Sequence, residues 1–152
     1  MDINEKDIYF MRLALEEASL AFSEKEVPVG AVLVSDSEIL AKAHNARETS
    51  KDPTAHAEVI AIRNAAEKGD SWRLSEASLY VTKEPCIMCS GAMVNARIKR
   101  LVYGCKDEKG GAVDSLYKLL SDKRLNHQVE VVSGILEDEC AEILRRFFQE
   151  RR

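Results

Sequence analysis

Two short runs of the sequence contain the residue types of a catalytic metal site. The first is His56-Ala57-Glu58, and the second is Pro85-Cys86-Ile87-Met88-Cys89. One histidine and two cysteines are typical zinc ligands, and a site with three protein ligands keeps a fourth position open for water. Glu58 adds a carboxylate that can transfer a proton beside such a metal. This ligand count predicts an enzyme.

The same residues leave two other interpretations open. A fourth ligand from Cys105, His44 or His127 would close the coordination sphere and make the zinc structural. The two cysteines could instead form a thioredoxin-like redox pair, which would leave His56 and Glu58 without a task.

The pattern of apolar residues around these runs predicts helices and strands in alternation. Apolar residues recur at helical spacing in some segments, and turn residues separate short β-branched runs in others. The predicted helices are 4–25, a segment from about 54 to a stop at Gly69, 85–96 with proline in its first turn, 113–120 and 136–148. The predicted strands are 29–34, 38–43, 79–81, 100–104 and 129–132, with polar loops at 45–53 and 107–112.

This order of elements predicts an α/β fold, a three-layer α/β/α sandwich with a five-stranded mixed sheet. The first two strands are joined by Asp36-Ser37 and form a hairpin, whereas the later strands alternate with helices. Such alternation implies a largely parallel sheet covered on both faces. Cys86 and His56 would then lie at two helix N-termini that face one ion, where partial positive charge favours thiolates and bound hydroxide.

Length and composition fit a single domain, 1–152, with a core of its own. Apolar residues make up 45% of the 152 residues and charged residues 32%, and no apolar run approaches the length of a membrane span. The acidic N-terminal segment lacks the pattern of a signal peptide, so a cytoplasmic location is expected. The net charge of −4 argues against indiscriminate binding to nucleic acid but permits a local basic patch.

In their order and spacing, the two motifs resemble those of the zinc-dependent cytidine and nucleobase deaminases. Within that superfamily the chain is similar to the bacterial tRNA-specific adenosine deaminases. The matching segments extend over nearly the whole chain and are 26–31, 56–58, 79–82, 84–86, 88–89, 102–104, 126–127, 129–131, 134–136, 139–140 and 147–148. The segments after residue 126 match the tRNA enzymes better than the enzymes that act on small bases.

The resemblance implies a cytidine deaminase-like fold, usually assembled as a homodimer, with one zinc ion per chain. The implied reaction is hydrolytic deamination of adenosine to inosine at the wobble position of a tRNA anticodon stem-loop. His56, Cys86 and Cys89 would hold the zinc, and zinc hydroxide would attack C6 of the adenine. Glu58 would protonate N1 of the ring and assist the departure of ammonia.

The resemblance also implies substrate-binding residues outside the two motifs. Asn45 matches a position that contacts the nucleoside, although a loop asparagine can equally satisfy local backbone. Asp107 matches a loop position beside the preceding nucleotide, where an acid can also be simply solvated. Phe148, Arg151 and Arg152 match a C-terminal segment near the RNA, but Phe148 could instead pack in the core.

Some residues of the 105–112 loop depart from the family pattern. Cys105 and Lys106 stand where a small residue and an arginine are more usual, and Gly110-Gly111 follows. These departures concern the contacts with RNA and leave the chemistry unchanged.

Two alternative functions remain at this stage. A free-base enzyme such as guanine deaminase would share the motifs and the fold. The acidic net charge favours it, and the stretch Val94-Asn95-Ala96-Arg97 disfavours it, because those enzymes tend to carry an aromatic residue before Ala-Arg. A non-catalytic, zinc-structured RNA-binding module is the other alternative, and it would give Glu58 no role.

Overall fold

A mixed sheet of five strands forms the centre of the structure, a computed structural model that describes residues 3–151. The strands lie in the spatial order β2-β1-β3-β4-β5. Their bounds are β1 Gly30–Ser35, β2 Glu38–His44, β3 Ser78–Lys83, β4 Arg100–Cys105 and β5 Glu130–Ser133. The helices are α1 Ile3–Ser23, α2 Arg47–Ser50, α3 Ala57–Lys68, α4 Ile87–Ala96 and α5 Glu137–Glu150.

The pairing of the strands confirms the hairpin and a mixed sheet. Strands β1 and β2 are antiparallel, with a register shift between Leu33 and Val34, whereas β3–β4 and β4–β5 are parallel. Strand β1 is also antiparallel to β3, so two of the four pairings are parallel, which is fewer than a largely parallel sheet would have. The segment β2-α3-β3 does join two strands of the same direction, but β1 lies between them in the sheet.

Helices cover both faces of the sheet because the side chains of each strand alternate in direction. Ala31 and Leu33 of β1 point into a core shared with α3 and α4, and Val32 and Val34 point into a second core shared with α1 and α5. The three-layer sandwich is therefore confirmed. The metal-ligand motifs belong to the α3 and α4 side.

Most predicted elements are confirmed, with ends displaced by a few residues, but the helix predicted at 113–120 was wrong. This segment forms turns and a short 3-10 helix, Leu119–Ser121. The backbone N–H groups of Val113, Asp114 and Ser115 donate to the carboxylate of Glu84. Convergence on one side chain replaces the regular ladder of a helix here.

Two smaller corrections concern the ends of loops. The polar segment 45–53 contains the short helix α2, whose first turn is held because Glu48 and Thr49 donate their backbone N–H groups to the buried Glu26. Helix α4 begins at Ile87 rather than at Pro85, with Cys86 extended in the N-cap position. No helix within residues 3–151 is long and apolar enough to cross a membrane.

Candidate active site

The three predicted zinc ligands meet at the N-termini of α3 and α4. His56 is the N-cap of α3, Cys86 is the N-cap of α4, and Cys89 lies in the first turn of α4. Nδ1 of His56 lies 3.6 Å from Sγ of Cys86 and 3.5 Å from Sγ of Cys89. The three ligand atoms all lie within 4.8 Å of one another.

The local backbone explains why the side chains converge. His56 and Cys86 both have extended conformations, with ψ angles of 150° and −178°, and the helical backbone starts at the next residue. Neither side chain caps its own helix with a hydrogen bond. Both side chains are therefore available to a ligand placed between the two helix ends, whose partial positive charge stabilises thiolates.

The distances and the donor types fit tetrahedral zinc. Zn–N bonds of about 2.1 Å and Zn–S bonds of about 2.3 Å at tetrahedral angles separate neighbouring ligand atoms by about 3.6 Å. The proposed fourth ligands are engaged elsewhere. Cys105 faces the carbonyl of Thr82, both nitrogens of His44 contact glutamates, and His127 contacts a backbone carbonyl. Among the described residues, the group thus has three members and is open on one side.

The pKa values of the two cysteines depend on the close contacts within this group. The pKa of Cys86 falls to about 3, because Cys89 and His56 donate hydrogen bonds to its sulfur. The reciprocal contact with Cys86, together with burial, raises the pKa of Cys89. A bound metal would require both sulfurs to be deprotonated.

Glu58 lies beside the ligand group in the first turn of α3. Its side chain is only 4% exposed, and burial raises the pKa of the carboxyl, partly offset by hydrogen bonding and by His56. A carboxyl with a raised pKa holds a proton more readily than an exposed glutamate, so it can act as a general acid as well as a general base. The sequence prediction of a proton-transfer residue next to the metal ligands is consistent with this position.

A cavity of about 250 Å³ opens in front of this group. Its walls combine apolar, polar and charged side chains, and they include most of the predicted substrate-binding residues. The lining residues are Val27, Val29, Asn45, Arg47, His56, Ala57, Glu58, Lys83, Glu84, Cys86, Asp107 and Phe148.

Asn45 lines this cavity and has an unpartnered acceptor. It is 6% exposed and donates from Nδ2 to the carbonyl of Val27 at 3.3 Å, while its Oδ1 is buried without a hydrogen-bond partner among the described residues. The local backbone therefore binds the NH₂ group of this amide but not its oxygen. The free oxygen is suited to a hydroxyl or N–H group of a ligand.

Asp107 lies at the cavity wall, but its carboxylate is already occupied. Oδ1 accepts the backbone N–H groups of Lys109 and Gly110, and Oδ2 lies 3.2 Å from Nζ of Lys83. The side chain thus stabilises its own loop and neutralises a lysine at the cavity. It is not a freely solvated acid.

The C-terminal helix brings one aromatic residue to the cavity. Phe148 lines it and is 48% exposed, whereas its neighbour Phe147 is buried and contacts the Phe148 ring edge-on. Core packing is therefore the role of Phe147. Arg151 does not line the cavity but lies along an adjoining groove that shares Asn45 and Phe148, and Arg152 is outside the described residues.

Several lining residues were missed at the sequence level. Arg47 and Lys83 place positive charge at the rim, and Glu84 lies buried behind it. Burial opposes ionisation of Glu84, but hydrogen bonds from Ser115 and from backbone amides lower its pKa to about 2. The adjacency of Lys83 and Glu84 to the Pro-Cys motif was the one available signal.

The relatives of the chain are deaminases. The model of the MafB19-like deaminase family matches residues 4–152. A tRNA-specific adenosine deaminase from Bacillus subtilis is 50% identical over 147 residues, which cover 97% of this chain and 91% of that relative. The family resemblance expected from the motifs is therefore confirmed.

Solved structures agree with this relationship. One structure, from studies of A-to-I editing by tRNA:A34 deaminases at the wobble position, is 49% identical with a TM-score of 0.87, over 90% of this chain and 99% of that one. A guanine deaminase from Nitrosomonas europaea has a TM-score of 0.80 at 21% identity, over 92% and 83% of the two chains, which shows a common fold alone. The cytidine deaminase-like fold is confirmed, and the chain belongs to the family of tRNA-specific adenosine deaminases.

Proposed function

We propose that this protein is a zinc-dependent enzyme that converts adenosine to inosine at the wobble position of a tRNA anticodon. The observation that carries the proposal is the position of Glu58, a buried carboxyl beside an open group of three zinc-type ligands, inside a cavity. A purely structural zinc site needs neither the cavity nor the carboxyl. Adenosine in tRNA is proposed as the substrate because the chain is similar to tRNA-specific adenosine deaminases.

His56, Cys86 and Cys89 would hold one zinc ion per chain through Nδ1 and two sulfurs. A zinc ion held by these residues would supply an activated water molecule as the nucleophile at neutral pH. The two helix N-termini stabilise the extra negative charge that two thiolates and this nucleophile bring together.

Glu58 would transfer the protons of the reaction. Deamination adds water to C6 of adenine and releases ammonia, so one proton must reach N1 of the ring and another must reach the leaving nitrogen. A buried carboxyl with a raised pKa can accept a proton from water and deliver it to these atoms in turn. Its burial also keeps bulk water from competing for the proton.

The other cavity residues would bind and orient the nucleoside. Val29 and Val27 provide an apolar wall for a flat base, and the unpartnered Oδ1 of Asn45 can accept a hydrogen bond from the substrate. Phe148 is exposed at the cavity edge and can stack on a base. Asp107 would act on the preceding nucleotide mainly by shaping the loop and holding Lys83.

A local basic rim can bind the RNA backbone despite the acidic net charge. Lys25, Arg47 and Arg151 lie along the groove that adjoins the cavity. Phosphate contacts of this kind supply affinity and fix orientation without reading sequence. For Arg152 we propose a role in RNA binding on the family pattern alone.

We further propose a cytoplasmic homodimer in which residues 1–152 form one domain. The homodimer is proposed from the family resemblance, and Ile87, Leu116 and Tyr117, which are large, apolar and each more than half exposed, are the side chains that a second subunit would be expected to cover. Sedimentation of the wild-type protein and of Ile87→Glu tests the assembly. A monomeric wild-type protein would contradict it.

An anticodon stem-loop with adenosine at the wobble position is the test substrate. We expect inosine at that position, detected by primer extension or nucleoside analysis, and no product from a stem-loop that carries guanosine there. Free guanine serves as the rival substrate. Release of ammonia from guanine, with the stem-loop untouched, would overturn the assignment in favour of a free-base deaminase.

A further inference from the structure

Glu84 is a buried carboxylate for which the chemistry above has no use. It lies between the end of β3 and the Pro85-Cys86 pair, and it is 2% exposed. Burial of an ionised carboxylate is costly unless hydrogen bonds replace the lost water. Its partners therefore indicate what this residue is for.

Within residues 3–151, every hydrogen bond to the side chain of Glu84 comes from one loop, residues 107–115. Oε1 accepts the backbone N–H of Asp107 at 3.0 Å and the hydroxyl of Ser115 at 2.5 Å. Oε2 accepts the backbone N–H groups of Val113, Asp114 and Ser115 at 3.1, 2.8 and 2.9 Å. One side chain thus gathers both ends of the loop around a single charge, in the manner of an anion held by a nest of amides.

The loop is also shaped to approach this carboxylate closely. A Cβ added at Gly111 would overlap the carboxylate atoms of Glu84, so only glycine permits the approach. The hydrogen bond from the Gly111 N–H to the carbonyl of Asp107 then closes the loop on itself. This close approach is the physical reason for the second glycine of the Gly110-Gly111 pair.

One short segment, residues 83–86, connects this loop to the metal-ligand group. Lys83 pairs with the Asp107 carboxylate, Glu84 holds the loop backbone, and Cys86 is a metal-ligand candidate two positions later. Asp107, Glu84 and Cys86 all line the same cavity. Asp107 is the residue of this loop that lines the cavity, so a displacement of the loop would change that part of the cavity wall.

We propose that Glu84 is a positioning residue that fixes the 107–115 loop against the metal-ligand segment, so that this wall of the cavity is formed before RNA binds. The effect on loop order stands on the contacts alone, and the effect on RNA processing rests on the proposed function. A preformed wall lowers the entropic cost of ordering the loop during binding.

Replacement of Glu84 by glutamine preserves the size of the side chain but breaks the pattern of bonds. The amide has one acceptor oxygen, and its NH₂ group must face either the Asp107 N–H or the three N–H groups on the other side. Donors would then oppose donors in a buried site. Loss of the charge therefore releases one end of the loop in either orientation.

Amide hydrogen exchange measured by NMR on the Glu84→Gln variant tests the proposal. We expect exchange to rise about tenfold or more at the end of the loop that loses its bonds, either at Asp107 or at Val113, Asp114 and Ser115. Glu26→Gln is the matched control, since Glu26 is also buried but holds the amides of Glu48 and Thr49 on another loop. In that control, exchange should rise at Glu48 and Thr49 and stay unchanged at the four amides of the 107–115 loop.

Steady-state kinetics on the anticodon stem-loop supply the functional measurement. Because the metal ligands are untouched, Glu84→Gln should keep its zinc content and show a KM raised about tenfold, with kcat within about a factor of two. If this variant fails to fold, Ser115→Ala removes a single donor and should give a smaller effect of the same kind.

The two parts of the proposal fail in different ways. Unchanged exchange at all four amides in Glu84→Gln would overturn the positioning role. Raised exchange with a wild-type KM would overturn the link to RNA binding. A wild-type protein that does not deaminate the stem-loop would contradict the proposed function. In that case, faster amide exchange in Glu84→Gln would still support the positioning role.

Discussion

Nδ1 of His56 lies 3.5 Å from Sγ of Cys89, although the two residues are 33 positions apart in the chain. The contact joins the N-termini of α3 and α4, so two helix dipoles point at the same small volume. Thiolates and an added hydroxide are stabilised there by partial positive charge. The geometry of the ligand group and its electrostatics therefore have one origin.

Removal of the metal should abolish turnover reversibly. A chelator such as dipicolinate should reduce stem-loop deamination to background, and one equivalent of zinc per chain should restore it. Because both sulfurs must lose their protons to bind, zinc affinity should fall as the pH decreases. Metal content measured by mass spectrometry, with activity in parallel, checks both statements.

Cys105→Ala is the control for the open coordination position. Cys105 faces the carbonyl of Thr82 and is not part of the ligand group. The variant should keep one zinc per chain and its activity. Loss of zinc would mean that Cys105 is a fourth ligand and that the site is closed.

The Glu58→Gln variant should bind zinc normally and lose turnover by about 10²–10⁴-fold, the usual contribution of a positioned acid–base group. The amide keeps the shape of the side chain but can no longer accept and return a proton. Single-turnover assays with saturating enzyme separate this loss from weaker RNA binding. Glu67→Gln, on the exposed far end of the same helix, should leave the rate unchanged.

Substitution of Asn45 by alanine should raise KM about tenfold, because one hydrogen bond between the free Oδ1 and the substrate is lost. Asn45→Asp keeps an acceptor at that place and should retain more affinity than alanine. Asn64→Ala, on the surface of α3, is the control. Equal KM values for all three variants would remove Asn45 from the binding site.

Phe148→Ala should weaken RNA binding by about 1–3 kcal/mol if the ring stacks on a base, with little change in thermal stability. Phe148→Tyr retains a ring and should keep most of the affinity. The adjacent substitution Phe147→Ala removes a buried ring and should instead destabilise the fold by about 3–5 kcal/mol. Filter binding and thermal melting of the three variants distinguish these roles.

His44 should make the stability depend on pH. Burial alone would lower its pKa, but hydrogen bonds and charges from Glu17 and Glu24 raise the pKa above the usual value, and the imidazolium also faces Glu26. A raised folded-state pKa stabilises the protein fully below the unfolded pKa of about 6.5, and the contribution disappears as the pH rises through the folded value.

The difference in unfolding free energy between wild type and His44→Gln should therefore be larger at about pH 5.5 than at about pH 8.5. Urea unfolding at the two pH values measures it. Introducing Glu17→Gln into both proteins should reduce the pH dependence, because the nearest partner at 2.8 Å is gone. A pH-independent difference in the original pair would contradict this ionisation.

Residues with strong local signals were predicted well from the sequence. The ligand types, the Pro-Cys-x-x-Cys spacing and the helix after the polar loop placed His56 and Cys86 at helix ends, because backbone propensities and ligand chemistry act over a few residues. The hairpin and both amphipathic terminal helices follow from similarly local patterns.

Long-range contacts decided the rest. Asn45 became a half-satisfied amide only because the carbonyl of Val27 lies nearby, and Asp107 became an ion-pair partner only because β3 places Lys83 beside it. Segment 113–120 does not form the predicted helix, because its first backbone N–H groups donate to the carboxylate of Glu84, which is 29 or more residues away. No local propensity encodes such competition, since the winning partner is brought near only by folding.

The sequence by itself determined the chemistry that this protein is equipped for, through three zinc-type ligands, one carboxyl and the family they identify. The tertiary structure alone decided which acceptor in the cavity is free, which aromatic ring faces outward and which buried charge orders the neighbouring loop. Residue types and spacing are properties of the chain, whereas burial and hydrogen-bond partners arise when distant segments of the chain pack together.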